Sequence, residues 1–223
     1  MPVWFITPAL FRFLGELRRH NERAWFEENK SRYLAEVRDP LLGFVSAVAP
    51  KLAAIGSHIV ADPRASGGSL LRIYRDTRFS RDKTPYKTNA GLWFRVGASK
   101  DVEGPGYYLH LEPGQVFMAA GMWHPSSESL RAIRDAIASD PRGWKRATRS
   151  GLSHAESALK RPPRGFAADH PLIEDIKRTS FTVGESFSER QACVATFPTL
   201  FVNACRRETP LVRFLAKAVG VPF

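Results

Sequence analysis

Cysteine is almost missing from this chain: Cys193 and Cys205 are the only two among 223 residues. Two are too few for a disulfide framework, and their spacing is wrong for a paired metal-ligand motif. Both read as small buried hydrophobes in a reducing compartment. No run of roughly 18 apolar residues occurs, and Met-Pro-Val-Trp-Phe-Ile has no basic lead-in. The expectation is a cytoplasmic protein with no membrane partner.

Cofactor signatures are also lacking. The sequence has no G-x-x-x-x-G-K, no G-x-G-x-x-G, no nucleophile elbow and no H-E-x-x-H. Ser66-Gly67-Gly68-Ser69 precedes a strand instead of following one, the wrong order for a nucleotide cradle. No cofactor and no resident metal are expected.

Acidic residues are scarce where basic ones cluster. The formal charge is +11, from 33 Lys and Arg against 22 Asp and Glu. Residues 72–89 hold six basic and two acidic side chains, and residues 141–165 hold seven basic residues with Glu156 alone against them. These two segments carry nearly the whole excess. Clustered cations repel one another unless something neutralises them, which points to an anionic partner. For 141–165 a solvated basic face explains the charge equally well.

What is present reads as one α+β domain over 1–223: 43% hydrophobic and 25% charged residues are ordinary globular values. Thr7-Pro8 opens a helix that carries Leu10, Phe13, Leu14 and Leu17 to about His20. Asn21 is placed to cap a second, with Trp25, Phe26, Tyr33, Leu34 and Val37 as its apolar stripe. Pro40 opens a third that runs to Gly56. Leu70 to Arg75 and Gly91 to Val96 read as strands. Tyr107 to Leu111 and Val116 to Ala120 flank Glu112-Pro113-Gly114-Gln115, where proline and then glycine specify a type II turn. The two-residue period puts Tyr107, Leu109, Leu111, Val116, Met118 and Ala120 on the core face. Tyr108, His110, Glu112, Gln115 and Phe117 fall on the other. Helices are expected at Ser127 to Ser139, around Trp144, over Asp169 to Lys177 and Ser188 to Arg206 with a break near Pro198, and after Thr209-Pro210. Helices at both ends around a mainly antiparallel sheet, with its hairpin at about 107–120, make α+β the expected class.

The segment from Arg72 to Asn89 is the first candidate site. Arg72, Arg75, Arg78, Lys83 and Lys87 offer guanidinium forks and ammonium groups suited to phosphate or carboxylate, and Ser80, Thr84 and Thr88 add hydroxyls. Asp76 and Asp82 pair with neighbouring arginines in the competing, purely structural reading, but two carboxylates do not neutralise six cations. His110 and Glu112 share a strand face, and with Tyr86 they are the candidates to move a proton near a bound anion. His124 completes a set of metal-ligand types of weak spacing. In the helix after Asn21, Trp25, Phe26 and Tyr33 read as core beside the wet cations Arg23 and Lys30.

These segments also carry a resemblance. Asn21-x-Arg23-x-Trp25-Phe26-x-x-Asn29-Lys30-x-x-Tyr33, Arg72-Ile-Tyr-Arg75-Asp76-Thr-Arg78-Phe79-Ser80 and Asp82-Lys83-Thr84-Pro85-Tyr86-Lys87 come first in the chain. Tyr107-Tyr108-Leu-His-Leu-Glu112-Pro113-Gly114, Gly121-Met122-Trp123-His124-Pro125 and Pro163-x-Gly165-Phe166 before Asp169-His170-Pro171 follow. In that order the sequence resembles the bacterial and fungal DUF2461 family, a domain of unknown function. The resemblance implies one α+β domain and brings no catalytic residue, cofactor or activity. The functional expectation is a small anionic ligand held by the 72–89 segment. Its rival is a nucleic-acid-binding module that uses both basic segments, and a third reading has the charges meet an acidic partner protein. The sequence fixes no oligomeric state.

Overall fold

A computed structural model describes residues 3–97, 104–153 and 158–223. Helix α1 (Pro8–Arg19) buries Leu10, Phe13, Leu14 and Leu17 on one stripe. After it, α2 (Arg23–Glu28) and the single turn α3 (Lys30–Arg32) lead into a π-helical stretch, Tyr33–Arg38, and then α4 (Asp39–Ala53). The expected second helix therefore changes winding partway. Pro40 has no N–H to give the turn before it, and the Asp39 N–H reaches back five residues to the Leu34 carbonyl. Asn21 does not cap α2; Glu22 occupies that position, and the Asn21 side chain is used elsewhere.

The sheet is antiparallel and ordered as the chain runs: β1 (Ile59–Val60), β2 (Ala90–Val96), β3 (Gly106–Glu112), β4 (Gln115–Met122) and β5 (Phe181–Phe187). The β3–β4 hairpin stands where alternation and the Pro-Gly turn put it, with Gly114 at φ 83° supplying the left-handed residue the turn needs. Leu92, Phe94, Tyr107, Leu109, Leu111, Val116, Met118, Phe181 and Val183 form the buried face. Across the register, Gly91 lies opposite His110, Trp93 opposite Tyr108, and His110 opposite Phe117 on the half-buried second face.

Between β4 and β5 come α5 (Ser127–Ser139), α6 (Pro141–Ala147) and the single turn α7 (Ile173–Ile176); α8 (Glu189–Ala192) and α9 (Phe197–Ala218) follow β5. Helix α9 lies across β4 and also packs on α4 and α6. Phe44 of α4, Phe94 of β2 and Phe201 of α9 meet in one cluster, with ring centroids 5.3–5.6 Å apart along the chain Phe44, Phe201, Phe94. This tie between helices at both ends of the sequence and the central sheet is the α+β class observed.

Several local expectations change. Leu70–Arg75 is not a ladder strand: it is held by two isolated bridges, Leu70 to Leu92 and Tyr74 to Tyr86. Pro85 has no N–H, so the pairing inside the loop cannot extend past Tyr86. Strand β5 has no counterpart among the expected elements, and the helix over Asp169 to Lys177 shrinks to α7. The expected helix from Ser188 to Arg206 is interrupted between α8 and α9. Pro198 then falls in the first turn of α9, where no donor is required, and α9 runs on through Pro210. The Arg206 carbonyl that Pro210 leaves without a donor lies on an exposed face, and the Thr209 hydroxyl adds a bond to the Cys205 carbonyl at 2.9 Å. Cys205 is buried, whereas Cys193 is only partly so. No helix among the described residues is long and apolar enough to cross a membrane.

Candidate functional site

The basic loop is fixed at its neck. Asn21 holds the Tyr86 peptide on both sides: its Nδ2 donates to the Tyr86 carbonyl at 2.9 Å, and its Oδ1 accepts from the Tyr86 N–H at 3.0 Å. The Tyr86 ring stacks on Phe26 at 4.1 Å and meets Tyr74 at 5.4 Å. Backbone bonds from Arg75 to Pro85 and from Lys87 to Ile73 close the ribbon above that anchor. Burial pushes the Tyr86 phenol up from its ordinary value, and the nearest charges it feels are Glu27, Arg23 and Lys30. The phenol is thus on the helix side of the loop.

Above the neck the cations divide. Arg78 forms a fork with Asp76 (Nη2 to Oδ2 2.7 Å) and lies over the Phe79 ring, well exposed. That pairing, with the Arg78 amide, holds Asp76 down to about 2. Lys83 donates to the Thr77 carbonyl at 2.9 Å and also faces outward. Arg75 Nη1 bonds both Asp82 Oδ2 and Thr84 Oγ1. The Thr84 amide and the Arg75 guanidinium together hold Asp82 near 2. Neither aspartate reaches Lys87. Its half-buried ammonium has no hydrogen-bond or ion-pair partner among the described residues. Burial lowers its pKa, and Arg72 lowers it further.

Lys87 opens onto a concave cleft of about 370 Å³, lined also by Arg18, Asn21, Arg75, Thr84, Thr88 and Asn89, by Tyr86, the one expected proton carrier placed there, and by a single acid, Asp82, which Arg75 pairs. The cleft sits where the loop enters β2 and the end of α1 crosses. Arg72, Arg78 and Lys83 are not in its lining. Two of the five predicted ligand-binding cations, Arg75 and Lys87, are therefore brought together, and three are not.

One wall is braced from β3. Glu112 Oε1 accepts from Arg18 Nη2 at 2.6 Å and from Thr88 Oγ1 at 3.0 Å, and Glu112 Oε2 meets His110 Nε2 at 3.2 Å. Burial works to raise the Glu112 pKa, but the bonds from His110, Thr88 and Arg18 outweigh it and leave the pKa lowered. His110 stacks on Phe117 at 4.7 Å, and its Nδ1 lies 3.1 Å from the Tyr108 hydroxyl and 3.4 Å from Asn89 Nδ2. With Nε2–H assigned toward the carboxylate, Nδ1 is the acceptor. Both ring nitrogens are engaged by protein groups, and neither His110 nor Glu112 lines the cleft. Burial pushes Tyr108 up to about 12, so the phenol is a donor at neutral pH. His124 is elsewhere, exposed at φ 47° after β4 with its ring on Trp123. Among the described residues no three His, Cys, Asp or Glu groups are gathered for a metal.

Arg18 and Asn21 line the cleft from outside the expected segment, and Tyr108 joins the brace through His110. Strand periodicity does place Tyr108 beside His110. Nothing in the sequence links Arg18 to Glu112, 94 positions away.

The brace can be tested through Gly91. A Cβ built there would lie 2.7 Å from the Tyr108 hydroxyl. Gly91→Ala is expected to displace the phenol from His110 and cost about 1–3 kcal/mol by overpacking, read from denaturant unfolding. An unchanged midpoint would mean that Tyr108 has room to move.

Comparison with known proteins gives one match. The sequence model of the family described as Conserved hypothetical protein (DUF2461) matches residues 9–214. No curated protein and no solved structure matches.

Proposed function

The chain belongs to the DUF2461 family, whose description assigns no activity, and from that premise we propose that the cleft at Lys87 binds one small phosphate-bearing or carboxylate anion. The observation that carries this reading is Lys87 itself. A half-buried ammonium without a protein carboxylate is held at a desolvation cost that an anionic guest repays. Arg75, Arg18 and the hydroxyls of Thr84 and Thr88 supply further donors at the rim. Arg75 and Arg18 keep their carboxylate partners Asp82 and Glu112, so they are already oriented when the ligand arrives. Binding adds one charge to a prepared donor set and needs no rearrangement of the loop.

Glu112 and His110 act here as positioning residues. They fix Arg18, Thr88 and Asn89, and the Tyr108 hydroxyl completes the chain.

Calorimetric titration of the native protein with inorganic phosphate, a phosphomonoester and a dicarboxylate, at low ionic strength, tests the reading. One site per chain is expected. Affinity should fall in Arg75→Gln and persist in Arg78→Gln and Lys83→Gln, whose groups face away from the cleft. If none of the three anions binds, or if all three variants weaken binding alike, the reading fails.

A further inference from the structure

A second, larger concavity lies where α6 and the end of α4 meet α9, with a volume of about 610 Å³. Arg146 of α6 and Arg206, Arg213 and Lys217 of α9 stand around it, all exposed. Among the described residues no carboxylate pairs with any of the four. Arg206 is bonded only to the neutral Asn203 side chain, at 2.8 Å, and the Arg213 guanidinium lies 4.8 Å over the Phe223 ring. The single acid in the lining, Asp140, is the N-cap of α6, accepting from the Gly143 N–H at 2.8 Å, and forms an ion pair with none of the four. The floor is apolar and includes the half-buried ring of Phe214.

Spacing decides what such a site takes. Arg206, Arg213 and Lys217 are seven and four residues apart on one continuous helix, so at 1.5 Å per residue they span about 16 Å along its axis. One phosphate cannot reach all three. A chain of phosphates can, and an apolar floor beneath the cations suits sugars and bases as well as charge. A duplex is too wide to enter a concavity of this volume. We propose that the α6–α9 cleft binds single-stranded nucleic acid, with its phosphates on Arg206, Arg213, Lys217 and Arg146 and its sugar–base side on the Phe214 floor. This site is separate from the Lys87 cleft and does not rest on what that cleft binds. Most of its charge comes from α9, outside the two basic segments that stand out in the sequence.

The test is fluorescence anisotropy of a labelled single-stranded DNA of mixed sequence on the full chain, with salt varied. Four phosphates neutralised predict a slope of log affinity on log salt of about −2.8, from about 0.7 per phosphate on a single strand. Arg213→Gln with Lys217→Gln should flatten that slope to about −1.4 and weaken binding at low salt about tenfold or more. Arg146→Gln, on a different helix, should flatten it by about 0.7 and guards against a folding defect in α9. The controls Arg78→Gln and Lys83→Gln, outside both clefts, should each leave the slope unchanged. The proposal is overturned if the oligonucleotide does not bind at low salt, or if those control variants weaken it as much as the α9 pair does. It is equally overturned if duplex binds as tightly as single strand, or if an acidic peptide displaces the strand at matched charge, which would make the cleft a protein-docking surface.

Discussion

Lys87→Met is expected to fold at least as well as the parent protein and to bind small anions about ten- to a hundredfold more weakly, as expected for a charge-assisted hydrogen bond worth about 1.5–3 kcal/mol. Methionine keeps the apolar stem in place and removes an ammonium that no protein carboxylate neutralises. Calorimetry and thermal denaturation on the same sample read the two effects. Weaker binding with unchanged or higher Tm is the signature of a ligand-facing cation. Retained binding with a fall in Tm would make Lys87 a structural residue and remove the reason for the cleft.

The same lysine sets a pH dependence whose sign follows from its environment. Its pKa in the folded protein lies below the ordinary lysine value of 10.5. The unfolded chain therefore binds more protons between the two values, and its contribution to stability rises with pH across that window. Anion affinity must move the other way, because the guest needs the charged form. Stability and affinity should thus diverge as pH rises through the depressed value.

Phe26→Ala carries the largest expected cost in stability, about 3–5 kcal/mol for a buried aromatic. The ring is 1% exposed, is stacked on Tyr86 at 4.1 Å and meets Tyr33 at a tilt at 5.3 Å. Its removal takes away the surface on which the neck of the basic loop rests. Chemical denaturation should show the loss, and limited proteolysis of the variant under native conditions should cut within 76–84 before any other segment. Cleavage that begins elsewhere would separate the loop from the Phe26 anchor.

Those two residues show what the sequence makes legible. Phe26 is readable as core because it sits on the apolar stripe of an amphipathic helix, and the β3–β4 hairpin because side chains alternate around Pro113-Gly114. Strand β5 is hidden because Gly184, Glu185 and Ser186 interrupt its apolar residues. Its pairing with β4 over seven residues supplies what propensity does not. Leu70–Arg75 misleads in the opposite direction: its composition is that of a strand, yet Pro85 limits the partner strand to one bridge.

The site divides in the same way. Local charge density marks the loop, but density alone does not distinguish Lys87, turned inward, from Arg78 and Lys83, turned out. The difference lies in short local pairings such as Asp76 with Arg78, which lock particular cations on the outer surface. Arg18 and Asn21 enter the site only because the end of α1 crosses the loop, a tertiary contact with no local sequence signal. The second basic segment, 141–165, gains a concave partner for the same kind of reason: Arg146 faces α9, whose Arg213 and Lys217 lie far along the chain.

The most direct measurement is the titration of the Lys87 ammonium by NMR, with isotope-labelled lysine assigned through Lys87→Arg, without and with inorganic phosphate. The cleft as described predicts a pKa below that of the other lysines in the free protein and an upward shift when phosphate binds. A Lys87 that titrates like a solvent-exposed lysine and does not respond to phosphate would contradict it.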